Sequence, residues 1–556
     1  MSLKPEEMLT VPQETARLAH AVCPRGNLCL WIGDELSEVF QDQLFASLFP
    51  TRGQPAEAPW RLALVTVLQF VEGLSDRQAA DAVRTHIDWK YALRLDLDDV
   101  GFDFSVLCEF RARLLAGEAE QLLFEALITH AKERGWLKAR GRQRTDSTHV
   151  LAAIESLSRL ECVAETLRHT LNVLATVVPD WLQAWVPTDW YERYATRWQD
   201  YRLPAGRNER QELAEMVGRD GRVLLTVIDG AIDLLWLRDL PALTTLRRVW
   251  IQQFYADEHN ARWREAKDLP PSSLLICTPY DPDARYSQKR STTWTGYKVH
   301  VTETCDEETP HLITDIQTTP APLSDFAMIL PIQEMLARHD VLPEKQFVDA
   351  GYVTSEHLVE SQLQHGIDLF GPVASDPSWQ AQAKQGYGTA DFAIDWQTCT
   401  ARCPQGHQSC LWMPRKDRHD HEVIHIKFAA TDCLPCPARS LCTHSSKEPR
   451  GLMIRSEQTY SMLQDARQRQ QTLAFKEQYA KRAGIEGTLS QGTRAFGLRR
   501  SRYVGEAKTR LQHFMIGAAV NVVRLFAWEQ KLPREQTRRS RFAALAPSQQ
   551  INTAAS

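Results

Sequence analysis

The chain has 556 residues, 43% of them hydrophobic and 24% charged, with a net charge of −5. At about 150 residues per domain it holds three or four domain-sized units with sizeable cores. The balance excludes a disordered chain, a collagen-like fibre and a membrane bundle.

Net charge conceals an asymmetry. Residues 443–541 carry 20 Lys and Arg against 8 Asp and Glu, a net of +12, which leaves −17 on the remainder. A basic segment inside an acidic protein reads as a polyanion-binding region or as a solvated basic face. No run approaches the ~18 consecutive apolar residues that span a membrane. The opening MSLKPEEMLT lacks a basic-then-apolar signal pattern, so the expected location is cytoplasmic, with no membrane partner.

Residues 1–140 read as helical. The apolar run Trp60–Val71 stops at Gly73, and Ser75 with Gln78 three residues on forms a capping box that starts a helix over Asp76–Thr85. Phe104, Leu107, Phe110 and Leu114 follow at near-helical spacing. Short helices joined by tight turns suit either a helix-turn-helix DNA reader or a plain helical bundle. Residues 156–275 are again helical, with Trp181, Trp185, Trp190, Trp198, Trp236, Trp250 and Trp263 read as core and interface fillers.

The pattern changes at about residue 276. Gly296–Thr304 alternates as a strand and His311–Thr318 forms a second. Ser324–His339 is helical, with Phe326, Ile329, Leu330, Ile332 and Leu336 on one face. Gln346–Gly351 is a short buried strand, a helix starts near Ser355, and Ile367–Val373 is a further strand. The order strand, strand, helix, strand, helix, strand describes an α/β domain. A cysteine-rich stretch over 376–447 interrupts it, helices follow, and a long one spans Glu506–Gln530. The tail from 532 to 556 is basic.

Three acids stand at informative places. Asp146 precedes the apolar Val150-Leu151, Asp349 closes the Phe347-Val348 strand, and Glu486 follows Tyr479 and Arg482 at spacings that put all three on one helix face. Acids at strand ends are where an α/β sheet presents ligands. Carboxylates suit Mg²⁺, which takes one or two of them together with phosphate oxygens. A pair of such ions clamps both oxygens of a phosphoryl transfer.

The stretches Thr145-Asp-Ser-Thr-His-Val150, Val348-Asp-Ala-Gly-Tyr352 and Tyr479-x2-Arg482-x3-Glu486 resemble the three acidic motifs of bacterial insertion-sequence DDE transposases. The likeness extends to Tyr280-Asp-Pro-Asp-Ala-Arg-Tyr286, to Gly296-Tyr-Lys-Val-His300 and to the N-terminal region, which resembles an InsH-like domain. The resemblance implies an RNase H-like α/β catalytic domain with a helical N-terminal domain. It places the catalytic, Mg²⁺- or Mn²⁺-binding acids at Asp146, Asp349 and Glu486. It also implies double-stranded DNA as partner (element terminal repeats and target), a homodimer on paired ends and a nucleoid-associated location. One departure is that the family commonly has a Lys seven residues after the Glu, where this chain has Thr493, with Arg494 the nearest base. Arg494, Arg499, Arg500, Arg502, Lys508 and Arg510 crowd the sequence after Glu486; the first five, with Tyr479 and Arg482, are the expected DNA contacts.

The implied layout is 1–140 helical, 141–155 with 276–375 as the first part of the core, 156–275 a helical insertion, 376–447 a small zinc-ribbon-like insertion, and 448–531 the rest of the core. Six of the 12 cysteines, Cys399, Cys403, Cys410, Cys433, Cys436 and Cys442, fall within 44 residues. Clustering of this kind reads as metal ligation. Cys433-x2-Cys436 is one arm of a structural Zn²⁺ site and Cys442 follows it. Cys403 offers the other arm, with Cys399, His407 and Cys410 as rivals; the related transposases match at Cys403, Cys433, Cys436 and Cys442. The six scattered thiols, Cys23, Cys29, Cys108, Cys162, Cys277 and Cys305, read as packed core residues. Besides a transposase, the sequence admits a non-transposing nuclease or a noncatalytic zinc-dependent DNA-binding protein.

Overall fold

The apolar run at Trp60 forms the helix Pro59–Glu72, opened by a first-turn proline and closed by Gly73 in the left-handed region (φ 71°). The Ser75–Gln78 capping box is present and starts the helix Asp76–Thr85. These elements come from a computed structural model that describes residues 2–3, 10–154, 156–199, 201, 203–255, 261–383, 385–418 and 420–533. The basic tail expected over 532–556 lies outside the described residues from 534 onward.

On the helix Ser105–Ala116, Leu107, Phe110 and Leu114 are buried. Phe104 precedes the helix, is 38% exposed and lies under the Arg77 guanidinium, so it leaves the expected apolar face. Cys108, expected in the core, is exposed on the same helix, because it falls about 100° around the helix from Leu107, off the buried stripe. Cys29, Cys162 and Cys305 are buried as expected, while Cys23 and Cys277 are only half-buried. The N-terminal helices share one hydrophobic cluster with the sheet and with the C-terminal helix Glu506–Glu529, through residues such as Phe124, Val299, Ile316 and Phe514. That last helix is long and apolar enough to cross a membrane by composition, yet most of its length is buried in this cluster.

The central sheet comprises β1 (Arg142–Leu151), β2 (Arg285–Lys289), β3 (Thr292–Thr304), β4 (Ile313–Pro320), β5 (Lys345–Val348) and β6 (Asp368–Phe370). β1 lies at the centre, antiparallel to β3 and parallel to β5, and β5 is parallel to β6. β2 and β4 pair with successive halves of β3. Gly296 has φ 150°, and a Cβ there would sit 2.2 Å from the Val150 carbonyl, so only glycine lets β3 cross β1 this closely. Between β4 and β5 the expected single helix is a 3-10 turn, Asp325–Met328, followed by the helix Ile329–Arg338. The tighter turn rotates the first residues out of phase, which leaves Phe326 49% exposed while Ile329, Ile332 and Leu336 are buried.

The insertion after β1 builds its own core from the helices Arg159–Val177, Arg207–Gly230 and Pro241–Gln253, around Val163, Leu167, Leu224 and Trp250. Most of its tryptophans pack there, but Trp236 is 48% exposed on a kinked 3-10 segment. Fully buried Glu165 ties this body to the sheet, pairing with Arg168 and accepting from Tyr280 Oη. Tyr297 Oη on β3 donates to Asp281 at 2.7 Å. The cysteine-rich stretch forms the hairpin of β7 (Ala393–Asp395) and β8 (Thr400–Arg402). It also forms β9 (Ser409–Lys416) and β10 (Glu422–Phe428), which β11 (Gly451–Ile454) completes as a three-stranded sheet. A small core of Phe392, Ile426, Phe428 and Leu452 holds the two together.

Candidate active site

Thr145 on β1 pairs in parallel register with Val348 on β5. The next residue on each strand is an acid, so Asp146 and Asp349 emerge side by side where the parallel pair ends. Asp349 also leads the 3-10 turn Ala350–Tyr352. Glu486 belongs to the helix Gly484–Ala495, which packs over β1. The expected continuous helix through Tyr479, Arg482 and Glu486 is in fact three abutting pieces. Leu473–Tyr479 and Gly484–Ala495 are α-helical, and Ala480–Ala483 between them is a 3-10 turn.

Arg482 is the hub. Its Nη2 donates to Asp146 Oδ2 at 2.5 Å and its Nη1 to Glu486 Oε1 at 3.1 Å. Burial raises the Asp146 carboxyl above its ordinary value and the Asp349 charge adds to that. The Arg482 guanidinium, the Ser147 N–H and Lys289 pull it back. Burial acts to lower Arg482, but Asp146, Tyr479, Asp349 and Glu486 outweigh it and hold the guanidinium above its usual value. One cation thus bonds two carboxylates and offsets the charge of a third; the three otherwise repel. Tyr479 stacks on Phe475 (5.5 Å, 13°), which stacks on Phe370 of β6 (4.6 Å, 19°), so this ring is propped by an aromatic ladder that reaches the sheet.

Two motifs from the sequence meet behind the acids: His300 Nδ1 lies 2.7 Å from Tyr352 Oη. Beside them Asp325 accepts from Ser147 Oγ at 3.0 Å and from Lys298 at 2.9 Å, with Lys289 at 3.5 Å. Asp325, Lys289 and Lys298 were not singled out from the sequence, although Lys298 sits inside the Gly296–His300 motif. Their placement depends on the β2–β3 hairpin, which the periodicity did not reveal.

The basic residues divide. Arg494, Arg500 and Lys508 are exposed. Arg499 donates to Thr148 Oγ1 at 2.7 Å, two residues beyond Asp146 on the same face of β1. Arg502 is exposed too, and it donates to the Leu74 carbonyl at 2.7 Å and lies over the Phe70 ring. Arg510 pairs with Glu120. Both are drawn into joining the C-terminal segment to the N-terminal helices.

Three hard carboxylates around one guanidinium form a donor set suited to Mg²⁺ or Mn²⁺, with Arg482 occupying the cation's electrostatic place. Among the described residues, however, no group of three or more His, Cys, Asp or Glu side chains stands ready to hold an ion. Arg482 bridges Asp146 and Glu486 and acts on Asp349 only through its charge. The closed zinc site expected at Cys403, Cys433, Cys436 and Cys442 is likewise not assembled among the described residues. These four thiols line one small pocket with His407 and Asp432, and all twelve cysteines are free. Burial raises the Cys442 thiol and its neighbours Cys436, Cys403 and Cys433 push it further, against Arg450. Cys399 and Cys410 are exposed and point to backbone carbonyls instead.

Residues 402–526 match the family described as Transposase DDE domain, and residues 23–113 match the one described as Transposase domain (DUF772). Neither curated proteins nor solved structures gave a match. The first match takes in β9 to β11 and Glu486; Asp146 and Asp349 lie outside it. Together the two support a DDE transposase, an enzyme class that acts on DNA. A DDE domain implies an RNase H-like α/β fold, and the mixed sheet with β1 between its antiparallel and parallel halves agrees with that.

Proposed function

We propose that this protein is the transposase of an insertion sequence, cutting the ends of its element and joining them to target DNA at one acidic site. The observation that carries the reading is Arg482 bonding both Asp146 and Glu486 with the Asp349 charge close enough to act on it, from segments up to 340 residues apart. Asp146, Asp349 and Glu486 would hold divalent ions, which when bound neutralise phosphate charge and lower the pKa of an attacking hydroxyl. Arg482 is poised to exchange its carboxylate partners for the scissile phosphate, and Tyr479 presents a propped aromatic edge beside it. Arg499 extends the cationic line along β1 toward the exposed Arg494, Arg500 and Lys508, a path for the flanking strand. The Cys403, Cys433, Cys436 and Cys442 pocket would hold a structural Zn²⁺. A homodimer would bring two element ends together, and the protein would work in the cytoplasm on the nucleoid.

The test is strand transfer with the element's own ends. Asp146→Ala, Asp349→Ala and Glu486→Ala should each abolish cleavage and joining, with DNA affinity within about twofold of wild type, since phosphate contacts supply the affinity. Wild-type joining by Glu486→Ala, or undiminished joining in EDTA, would falsify the reading. Cleavage without joining by the wild type would leave a nuclease instead.

A further inference from the structure

Beneath the acids lies a second, largely buried charge cluster, centred on fully buried Glu303. Arg144 stands two residues before Asp146 on the same face of β1 and is 8% exposed. Its Nε donates to Glu303 Oε1 at 2.6 Å and its Nη1 to the Lys481 carbonyl at 2.7 Å, immediately before Arg482 in the chain. Glu303 lies opposite Arg144 in the β1–β3 register, and its side chain is fully buried. The other oxygen of Glu303 accepts from Arg524 Nη1 at 2.6 Å and from Thr488 Oγ1 at 2.5 Å. Arg524, from the C-terminal helix, also donates to Thr488 Oγ1 at 2.6 Å and to Gln491 Oε1 at 2.9 Å. Thr488 and Gln491 both belong to the helix that carries Glu486. Gly484, on the same helix, faces the cluster: a Cβ there would come within 1.8 Å of Arg144 Nη1.

An ionic cluster is a poor way to gain stability. Burying a carboxylate and two guanidiniums costs several kcal/mol per ion, and well-packed apolar residues usually serve as well or better. What the cluster supplies is direction, because each hydrogen bond admits one geometry while apolar contacts tolerate sliding. The helix Gly484–Ala495 buries only Ile485, Thr488, Leu489 and Gly492, a thin stripe that alone would leave its height over β1 loosely set. We infer that Glu303, Arg144 and Arg524 are positioning residues, a clamp that fixes the Glu486 helix and the Arg482 turn against the strand carrying Asp146. This rests on the acid-site reading above, and it adds residues that touch no acid directly. It accounts for Gly484 as well, since the clamp's guanidinium fills the space a side chain would take.

The experiment uses the full chain with Glu303→Gln and with the milder Thr488→Val, which keeps both Arg–Glu pairs. Amide hydrogen exchange, Mn²⁺ affinity by calorimetry and melting temperature are measured on each. Both variants should speed exchange in peptides covering 480–495 at least tenfold relative to β9–β11. Both should also weaken Mn²⁺ binding by ~10-fold, the usual scale for groups that orient metal ligands. Thr488→Val should melt within a few degrees of wild type, so that the loosening is not general unfolding. Unchanged exchange over 480–495 in both variants overturns the clamp, as does acceleration spread evenly through the sheet and N-terminal helices. Asp146→Asn separates the two ideas. If it binds Mn²⁺ as wild type does, the ion reading fails while the exchange comparison still decides the clamp.

Discussion

Gly484 shows how much one missing side chain can decide. Its neighbour in space is not a free arginine tip but a guanidinium held on Glu303 and the Lys481 carbonyl. Gly484→Ala therefore forces a choice between moving the helix and breaking those bonds. Overpacking of this kind costs about 1–3 kcal/mol. The expected outcome is a urea midpoint lowered accordingly, with joining reduced far more than the stability loss explains; a variant with wild-type joining would show that helix height is not critical. At this scale the nearness of Asp349 and Glu486 to Arg482 follows local patterns, a strand ending in an acid and a Tyr-x2-Arg-x3-Glu spacing, whereas Asp146 lies mid-strand in β1 and carries no such end signal. Glu303 and Arg144 were not legible in the sequence, because an acid and a base inside a strand look like solvated residues until the partner strand covers them.

Among the elements, β4 carries the oddest residue. Asp315 is fully buried, accepts from Gln317 at 2.8 Å with one oxygen, and burial pushes its carboxyl up to about 7. The folded state keeps a proton that the unfolded chain releases near pH 4. Stability from this group is thus complete below about pH 4, falls as pH rises through that window and is fully lost above about 7. Asp315→Asn should abolish that slope, so its stability relative to wild type grows between pH 5 and 8 by an amount on the order of 2 kcal/mol. Denaturant titrations at the two pH values check it, and parallel losses would sink it.

The cysteine strands make a different prediction. Their core is small, as bodies that need a metal staple are. Purified protein should contain one zinc per chain by elemental analysis. Cys436→Ser should lose that zinc and expose β9–β11 to protease while the central sheet stays protected; metal-free wild type with protected strands would exclude the staple. Periodicity marked β3 to β6 and several long helices, but none of β7 to β11 and not the 3-10 turns at Asp325–Met328 and Ala480–Ala483, whose phase differs from both templates. The β2 strand was missed because its five residues hold a single aromatic, Tyr286, among polar neighbours.

Across the whole molecule, charge and architecture pull the C-terminal segment two ways. Arg502 and Arg510 fasten it to the N-terminal helices, and Trp31 Nε1 donates to Glu529 Oε2 at 2.6 Å at the far end of the last helix. Arg494, Arg500 and Lys508 stay exposed. Replacing those three by Ala should reduce the slope of log affinity against log salt by about 2–3, at roughly 0.9 per phosphate contact. Arg502→Ala should leave the slope alone and lower the melting temperature instead. The reverse pattern in gel-shift titrations would reassign the groups. The charge excess over 443–541 was visible in the sequence, but which of its bases bond to the N-terminal region depended on those helices folding back onto it.

The route of the chain through the central sheet has a consequence in time. β1 is made early, yet its parallel neighbour β5 and the turn bearing Arg482 arrive much later, and Arg524, the last member of the clamp, lies 378 residues beyond Asp146. At roughly 5–20 residues per second, a ribosome needs about 20–75 s to cross that interval. Throughout it the nascent protein carries its first acid on a strand with no finished partner set. Fragments released by premature termination before residue 524 are likewise without the clamp. The architecture thus makes assembly of the clamped acid cluster wait on the synthesis of Arg524, whatever part of the sheet has been laid down before it.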